Sequence, residues 1–172
     1  MNARTINDRL VAPDATAAES ALCYLTAAAG STGAVLLALD AGFPGLAVAV
    51  IALVAFDLCG GAVVNSSLAA KRHFHRPGRT HWHHLGFVAV HVQPFVLALV
   101  VPGFGWGSAA LVYGLALTGA VAVLGAPQRM RKPVAFAWVT LALLIPVGLP
   151  LALAWVTPVL MVKLLLGHLQ AE

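Results

Sequence analysis

The stretch Val134–Val162, VAFAWVTLALLIPVGLPLALAWVTPVLMV, runs for 29 residues without a charged side chain. As one α-helix it would be about 43 Å long, against a hydrocarbon core of about 30 Å that needs about 20 apolar residues. One untilted crossing is therefore too short for it. Gly148-Leu149-Pro150 sits near its middle. Glycine just past one helix end and proline just inside the next is the usual punctuation between two helices. The reading is a tight hairpin, which gives an all-α, polytopic membrane bundle of six transmembrane helices. The alternative is five helices, the last one long, tilted and kinked at Pro146 and Pro150.

The remainder of the chain supports a membrane fold. Of 172 residues, 60% are hydrophobic and 9% are charged, whereas a soluble domain carries about a quarter charged residues. The mean hydropathy is +0.91. A water-soluble globular domain is excluded, and so is a disordered chain, which needs low hydrophobicity and high charge. Length and the absence of repeats point to one domain: a cytoplasmic tail at 1–20, a transmembrane unit at 21–169 and a short tail at 170–172. Within the unit, the spans run from Ala21 to Leu39, Leu46 to Ala70, His84 to Val101 and Ser108 to Ala126, followed by the stretch quoted above. Thr16-Ala-Ala-Glu19 has capping-box spacing and marks the first helix start.

The net charge of +4 does not point to nucleic acid, because of where the cations lie. Lys71, Arg72, Arg76 and Arg79 form one cluster; Arg129, Arg131 and Lys132 form another. Each separates two apolar runs and contains no acid. That is the signature of cytoplasmic loops. It places the N-terminus in the cytoplasm, the protein in the inner or plasma membrane, and anionic lipid headgroups beside the basic loops. Trp82, Trp106 and Trp138 then fall near membrane interfaces. Cys23 and Cys59 form no CxxC pair and read as apolar packing residues.

The unusual chemistry is histidine. His73, His75, His81, His83, His84 and His91 crowd into one segment around the basic loop 71–84, and His168 lies near the C-terminus. At helical spacing His84 and His91 are about 20° apart, and His81 lies one turn before His84. The three make a stripe running about 10 Å inward from the cytoplasmic edge, with His83 pointing elsewhere. His91 is an ionisable group within an apolar span, where such residues face the bundle interior or a cavity. Pro94 cannot donate a backbone hydrogen bond, frees the carbonyl of Val90 and kinks the helix beside His91.

Asp57 is the matching acid, near the middle of the second span. Gly61 and Asn65 follow it by one and two turns, on neighbouring azimuths. Gly60 and Gly61 allow close helix approach. In the six-helix topology Lys163 and His168 lie level with the histidines; in the five-helix topology they lie on the opposite side. Lys163 also has the plain role of snorkelling to headgroups.

His81-Trp-His83-His84 resembles, in its chemistry, the histidine boxes of membrane fatty-acid desaturases and hydroxylases. The spacing here is HxHH where that family has HxxHH, and no HxxxH box is present, so membership is not claimed. HExxH, GxSxG and phosphate-loop motifs are absent. Three readings remain open. In the first, iron or zinc is held by His81, His84 and His91, with His73, His75, Asp57 and His168 as further ligands, in an enzyme acting on a lipid or other apolar substrate. In the second, a small proton- or metal-coupled transporter uses Asp57 and His91 as an intramembrane relay. In the third, a non-catalytic membrane component uses its basic residues, Lys71 and Arg72 among them, to hold anionic headgroups.

Overall fold

The structure is a computed structural model, and it describes residues 7–8 and 10–171. Of the tails expected at 1–20 and 170–172, residues 1–6, 9 and 172 lie outside the described residues.

The first helix, α1 (Ala17–Asp40), starts where the capping box predicts. The Glu19 N–H donates to Thr16 Oγ1 at 3.1 Å, and the Thr16 N–H donates to Glu19 Oε2 at 2.8 Å. Two orphan donors of the first turn are satisfied together. Gly42, at φ +68, makes the turn into α2 (Gly45–Ser66).

The expected second helix is longer than the one that forms. Ser67 leaves the helix at ψ 149 and caps a separate short helix, α3 (Leu68–Phe74), by accepting from Ala70 N. The third span is likewise divided, into α4 (His81–Ala89) and α5 (Gln93–Val100). The break falls at Val90–Val92, beside His91 and just before Pro94, as the missing proline N–H requires. The exposed carbonyls find partners there: Val92 N donates to Val90 O at 2.9 Å, and the Tyr113 hydroxyl donates to Ala89 O at 2.9 Å.

The long helix α6 (Trp106–Gly125) returns the chain to the basic side, and α7 (Arg131–Ala142) leaves it again. The last span, Leu151–His168, opens with a single tight turn. It continues as α8 (Val156–Met161) and ends as a π-helix over Val162–His168.

Among the described residues, five helical runs are long and apolar enough to cross a membrane: Ala17–Asp40, Gly45–Ser66, His81–Val100, Trp106–Gly125 and Leu151–His168. The count is that of the five-helix alternative, and six spans of full length do not form. The reason is α7, whose 12 residues reach only about 18 Å as a helix. The chain nevertheless turns back at Gly148, which adopts φ +63. Ser108 Oγ donates to the Gly148 carbonyl at 3.2 Å, so this turn lies beside the turn that precedes α6. The last span then runs back to the basic loops. Lys163 and His168 therefore sit level with the histidine segment, contrary to the placement expected for a five-helix chain.

The main core runs through the bundle, with a smaller cluster of Val11, Ala12, Cys23, Val64, Ala69 and Ala70 beside it. The main core draws on α2 and α6. In α2 it uses Ala47, Ile51, Ala55 and Leu58, and in α6 it uses Ala109, Val112, Ala116, Ala120 and Val123. These are three- and four-residue steps along one helix face. The opposite faces are also apolar, with Leu25, Leu36, Leu46, Leu53 and Leu99 exposed. An outside so rich in leucine belongs against lipid. Trp82 and Trp106 lie exposed near helix ends, as an interfacial belt requires. Trp138 does not: its Nε1 donates to Leu115 O at 3.0 Å, and its ring fills the space left by Gly119.

Candidate functional site

The site begins with a charge pair inside the second and last spans. Lys163 Nζ lies 2.8 Å from Asp57 Oδ2 and also donates to the Asp57 carbonyl at 3.2 Å. Gln93 Nε2 donates to the same Oδ2 at 2.9 Å. Lys163 is buried, at 4% side-chain exposure, while Asp57 is half-exposed at 50%. A lone ammonium in an apolar bundle would be strongly disfavoured; the carboxylate and the backbone carbonyl of Asp57 make its burial tolerable. Asp57 also faces a cavity of about 180 Å³ shared with Tyr24, Gly60 and Gly61.

Gly61 explains how the lysine fits. A Cβ at this position would stand 2.5 Å from Lys163 Cε and 2.8 Å from its Nζ. Gly60 has a different task, since its missing side chain faces Ala27 of α1. The two glycines that sequence assigned together to helix packing thus divide the work. One admits α1, and the other seats the lysine.

The next layer is aromatic and imidazole. His91 is buried, and its Nδ1 donates to the Phe87 carbonyl at 2.6 Å. A carbonyl only accepts, so the neutral ring keeps its lone pair on Nε2. The Phe87 ring lies between two histidines, 4.7 Å from His91 and 3.7 Å from His168 in a stacked pair. His168 Nε2 is 3.2 Å from His84 Nδ1, and His75 stacks on His84 at 4.5 Å. His168 Nδ1 is buried with no hydrogen-bond partner among the described residues. His75, His84, His168, Phe87 and His91 therefore form one row leading in from the basic loop, and Lys163, on the same span as His168, meets Asp57 on α2.

The π-helix makes the row possible. Lys163 must face α2, and His168 must face α4. Five residues apart, they would diverge by about 140° in an α-helix but by about 50° in a π-helix of about 4.4 residues per turn. The wider helix is held by side chains from outside it. Asn65 Nδ2 donates to the Lys163 carbonyl at 3.1 Å, and Gln170 Nε2 donates to Leu165 O at 2.7 Å. His75 Nε2 lies 2.9 Å from the His168 carbonyl, and Lys71 Nζ donates to Gln170 O at 2.6 Å. Two amides, an imidazole and a cation thus bind carbonyls along and just beyond the helix, those of Leu165 and His168 lying in its last turn. Burial pushes the His75 imidazole below its ordinary pKa, and the bond to His168 partly opposes this. Burial also lowers the Lys71 ammonium, with the charge of Lys132 adding to the effect.

Several residues expected at the site are elsewhere. His81 is exposed and accepts from Arg131 Nη2 at 2.8 Å, so it leaves the stripe drawn through His84 and His91. His73 lies against Arg76, whose Nη1 donates to the His73 carbonyl at 2.6 Å. Arg72 is exposed. His83, read from the sequence as pointing away from the stripe, accepts from the Thr80 N–H at 3.1 Å and caps α4. Three residues of the site went unread in the sequence, Gln93, Phe87 and Gln170, and Gly61 was read only as a helix-packing glycine. Gln93 had a visible signal, an amide within an apolar span next to Pro94.

A bound iron or zinc needs several convergent ligands, usually three or more from protein. Among the described residues, no group of three or more His, Cys, Asp or Glu side chains is placed to hold a metal ion. His84 and His168 approach each other, but His75 turns its Nε2 to a carbonyl and His91 turns its Nδ1 to another. The ligand set expected from His73, His75, His81, His84, His91 and His168 does not fit such a centre. No protein-family model, curated protein or solved structure matches this chain.

Proposed function

We propose that this is a small proton-translocating membrane transporter, with Asp57 as its proton-binding group and His91 as the neighbouring proton donor and acceptor. The observation that carries the reading is the Asp57–Lys163 pair inside two apolar spans, with the buried His91 two residues before Gln93, the amide that also binds Asp57. Intramembrane carboxylates and histidines of this kind mark proton paths.

The chemistry follows from the contacts. With Asp57 ionised, Lys163 and Gln93 both bind Oδ2. A proton passed from an imidazolium at His91 to the carboxylate leaves a neutral carboxyl and a neutral imidazole. Lys163 then keeps the Asp57 carbonyl as a partner, so its ammonium is not stranded. Beyond Phe87, which carries no proton, His168, His84 and His75 form a second imidazole cluster toward the loop that carries Lys71 and Arg72. Both basic loops and the end of the last span share one face of the bundle, which the positive-inside rule would make cytoplasmic.

The test is proton flux into liposomes containing the full chain and a trapped pH-sensitive dye. Wild type conducts under an imposed pH gradient. Asp57→Asn reduces the rate by about tenfold or more, and His91→Phe reduces it with Asp57 intact. Wild-type flux in both variants overturns the reading.

A further inference from the structure

A cavity of about 210 Å³ lies where α7 begins, lined by Gln128, Arg131, Lys132, Leu169, Gln170 and Ala171. Two of these residues are cations and none is an acid. Lys71 reaches the same place, donating to the Gln170 carbonyl at 2.6 Å. Three like charges gathered at one point repel, and an anion between them relieves the repulsion. Arg131 is held in place: its Nη2 donates to His81 at 2.8 Å and its Nε to the Ala126 carbonyl at 3.5 Å. A guanidinium has five N–H donors, so others remain to bind a ligand.

His81 connects this cavity to a second one. A groove of about 290 Å³ between α4 and α6 is lined by His81, Trp82, Leu85, Val121, Leu124 and Gly125. It is mostly apolar, and Trp82 stands at it with 79% of its surface exposed. A basic pocket beside an apolar groove, at the level of an interfacial tryptophan, has the shape and polarity of a phospholipid.

We propose that the Arg131–Lys132 cavity and the Trp82 groove together bind one anionic phospholipid. Its phosphodiester lies on Arg131 and Lys132, and the first part of an acyl chain follows Leu85 and Leu124. Burial and the charge of Lys132 already push the Lys71 ammonium down, and a bound phosphodiester offsets the Lys132 part of that effect. The inference rests on the membrane reading but not on proton transfer, and its test does not read flux.

The experiment uses the purified full chain in neutral detergent, following thermal unfolding while phosphatidylglycerol, phosphatidylcholine or inorganic phosphate is added. Phosphatidylglycerol raises the unfolding temperature; phosphatidylcholine and inorganic phosphate at the same concentration do not. Lys132→Gln, at an exposed position, weakens phosphatidylglycerol binding by about fivefold, and Arg131→Gln weakens it at least as much. Trp82→Ser weakens it with both cations present, and this arm decides the matter if Arg131→Gln fails to fold. Equal protection by phosphatidylcholine overturns the proposal. Equal protection by inorganic phosphate shows a small-anion site and also overturns it, as does unchanged affinity in both Lys132→Gln and Trp82→Ser.

Discussion

Gly61 and Lys163 show how closely a membrane-buried charge is fitted to its surroundings. The ammonium occupies the space that any larger residue at 61 would need. Gly61→Ala must therefore shift Lys163 away from Asp57. The expected cost is about 1–3 kcal/mol, as for other overpacked core positions. Thermal unfolding measures it, with Gly33→Ala as the comparison, because Gly33 has open space around its Cβ position. Equal effects at the two glycines would show that Lys163 is not held as described. His75 carries a second prediction at this scale. Its folded pKa lies below the ordinary 6.5, so the unfolded chain takes up a proton first as the pH falls. Stability from this residue is complete above that value and declines as the pH drops from 6.5 toward the folded pKa. His75→Gln keeps a donor for the His168 carbonyl and removes the titration. Unfolding temperatures measured from roughly pH 7.5 to 5 fall less steeply in this variant than in wild type; identical slopes would refute the assignment.

Among the elements, the π-helix at Val162–His168 matters most for the site. It was not legible in the sequence. Hydrophobic spacing and capping signals describe α-helices, and nothing in VKLLLGH distinguishes one winding from the other. The deciding contacts come from far along the chain, chiefly Asn65, 98 residues from Lys163. Asn65→Ala leaves the buried Lys163 carbonyl without that donor, at an expected cost of about 1–3 kcal/mol. The sharper readout is amide exchange over residues 163–168, which accelerates in the variant while α6 is unaffected. Exchange unchanged at these residues would mean that the π-helix holds without Asn65. Local punctuation elsewhere was readable. Thr16 and Glu19 marked the start of α1, Pro94 the break at His91, and Gly148 the return turn, because each acts through its own backbone. The stripe through His81, His84 and His91 was only partly right, since the pairing of His81 with Arg131 depends on the position of α7.

At the level of the whole molecule, composition and the placement of cations were enough to define an all-helical membrane bundle with both basic loops on one face. They were not enough to count its spans, because α7 is too short to cross the hydrocarbon alone although the chain turns beyond it. The charges within the bundle follow from this topology. The last span returns to the basic face, which carries Lys163 to Asp57 and His168 to His84. A chain that ended on the other face would have neither contact. The proposed phospholipid site lies on the same face, between the start of α7 and the end of the last span, so lipid selectivity there would also report that the two ends meet. The central claim is that Asp57 binds the translocated proton. Its most direct measurement is the initial rate of proton flux into liposomes under a fixed pH gradient, for wild type and Asp57→Asn at equal amounts of folded protein. The account predicts a rate about tenfold or more lower in the variant; equal rates would contradict it.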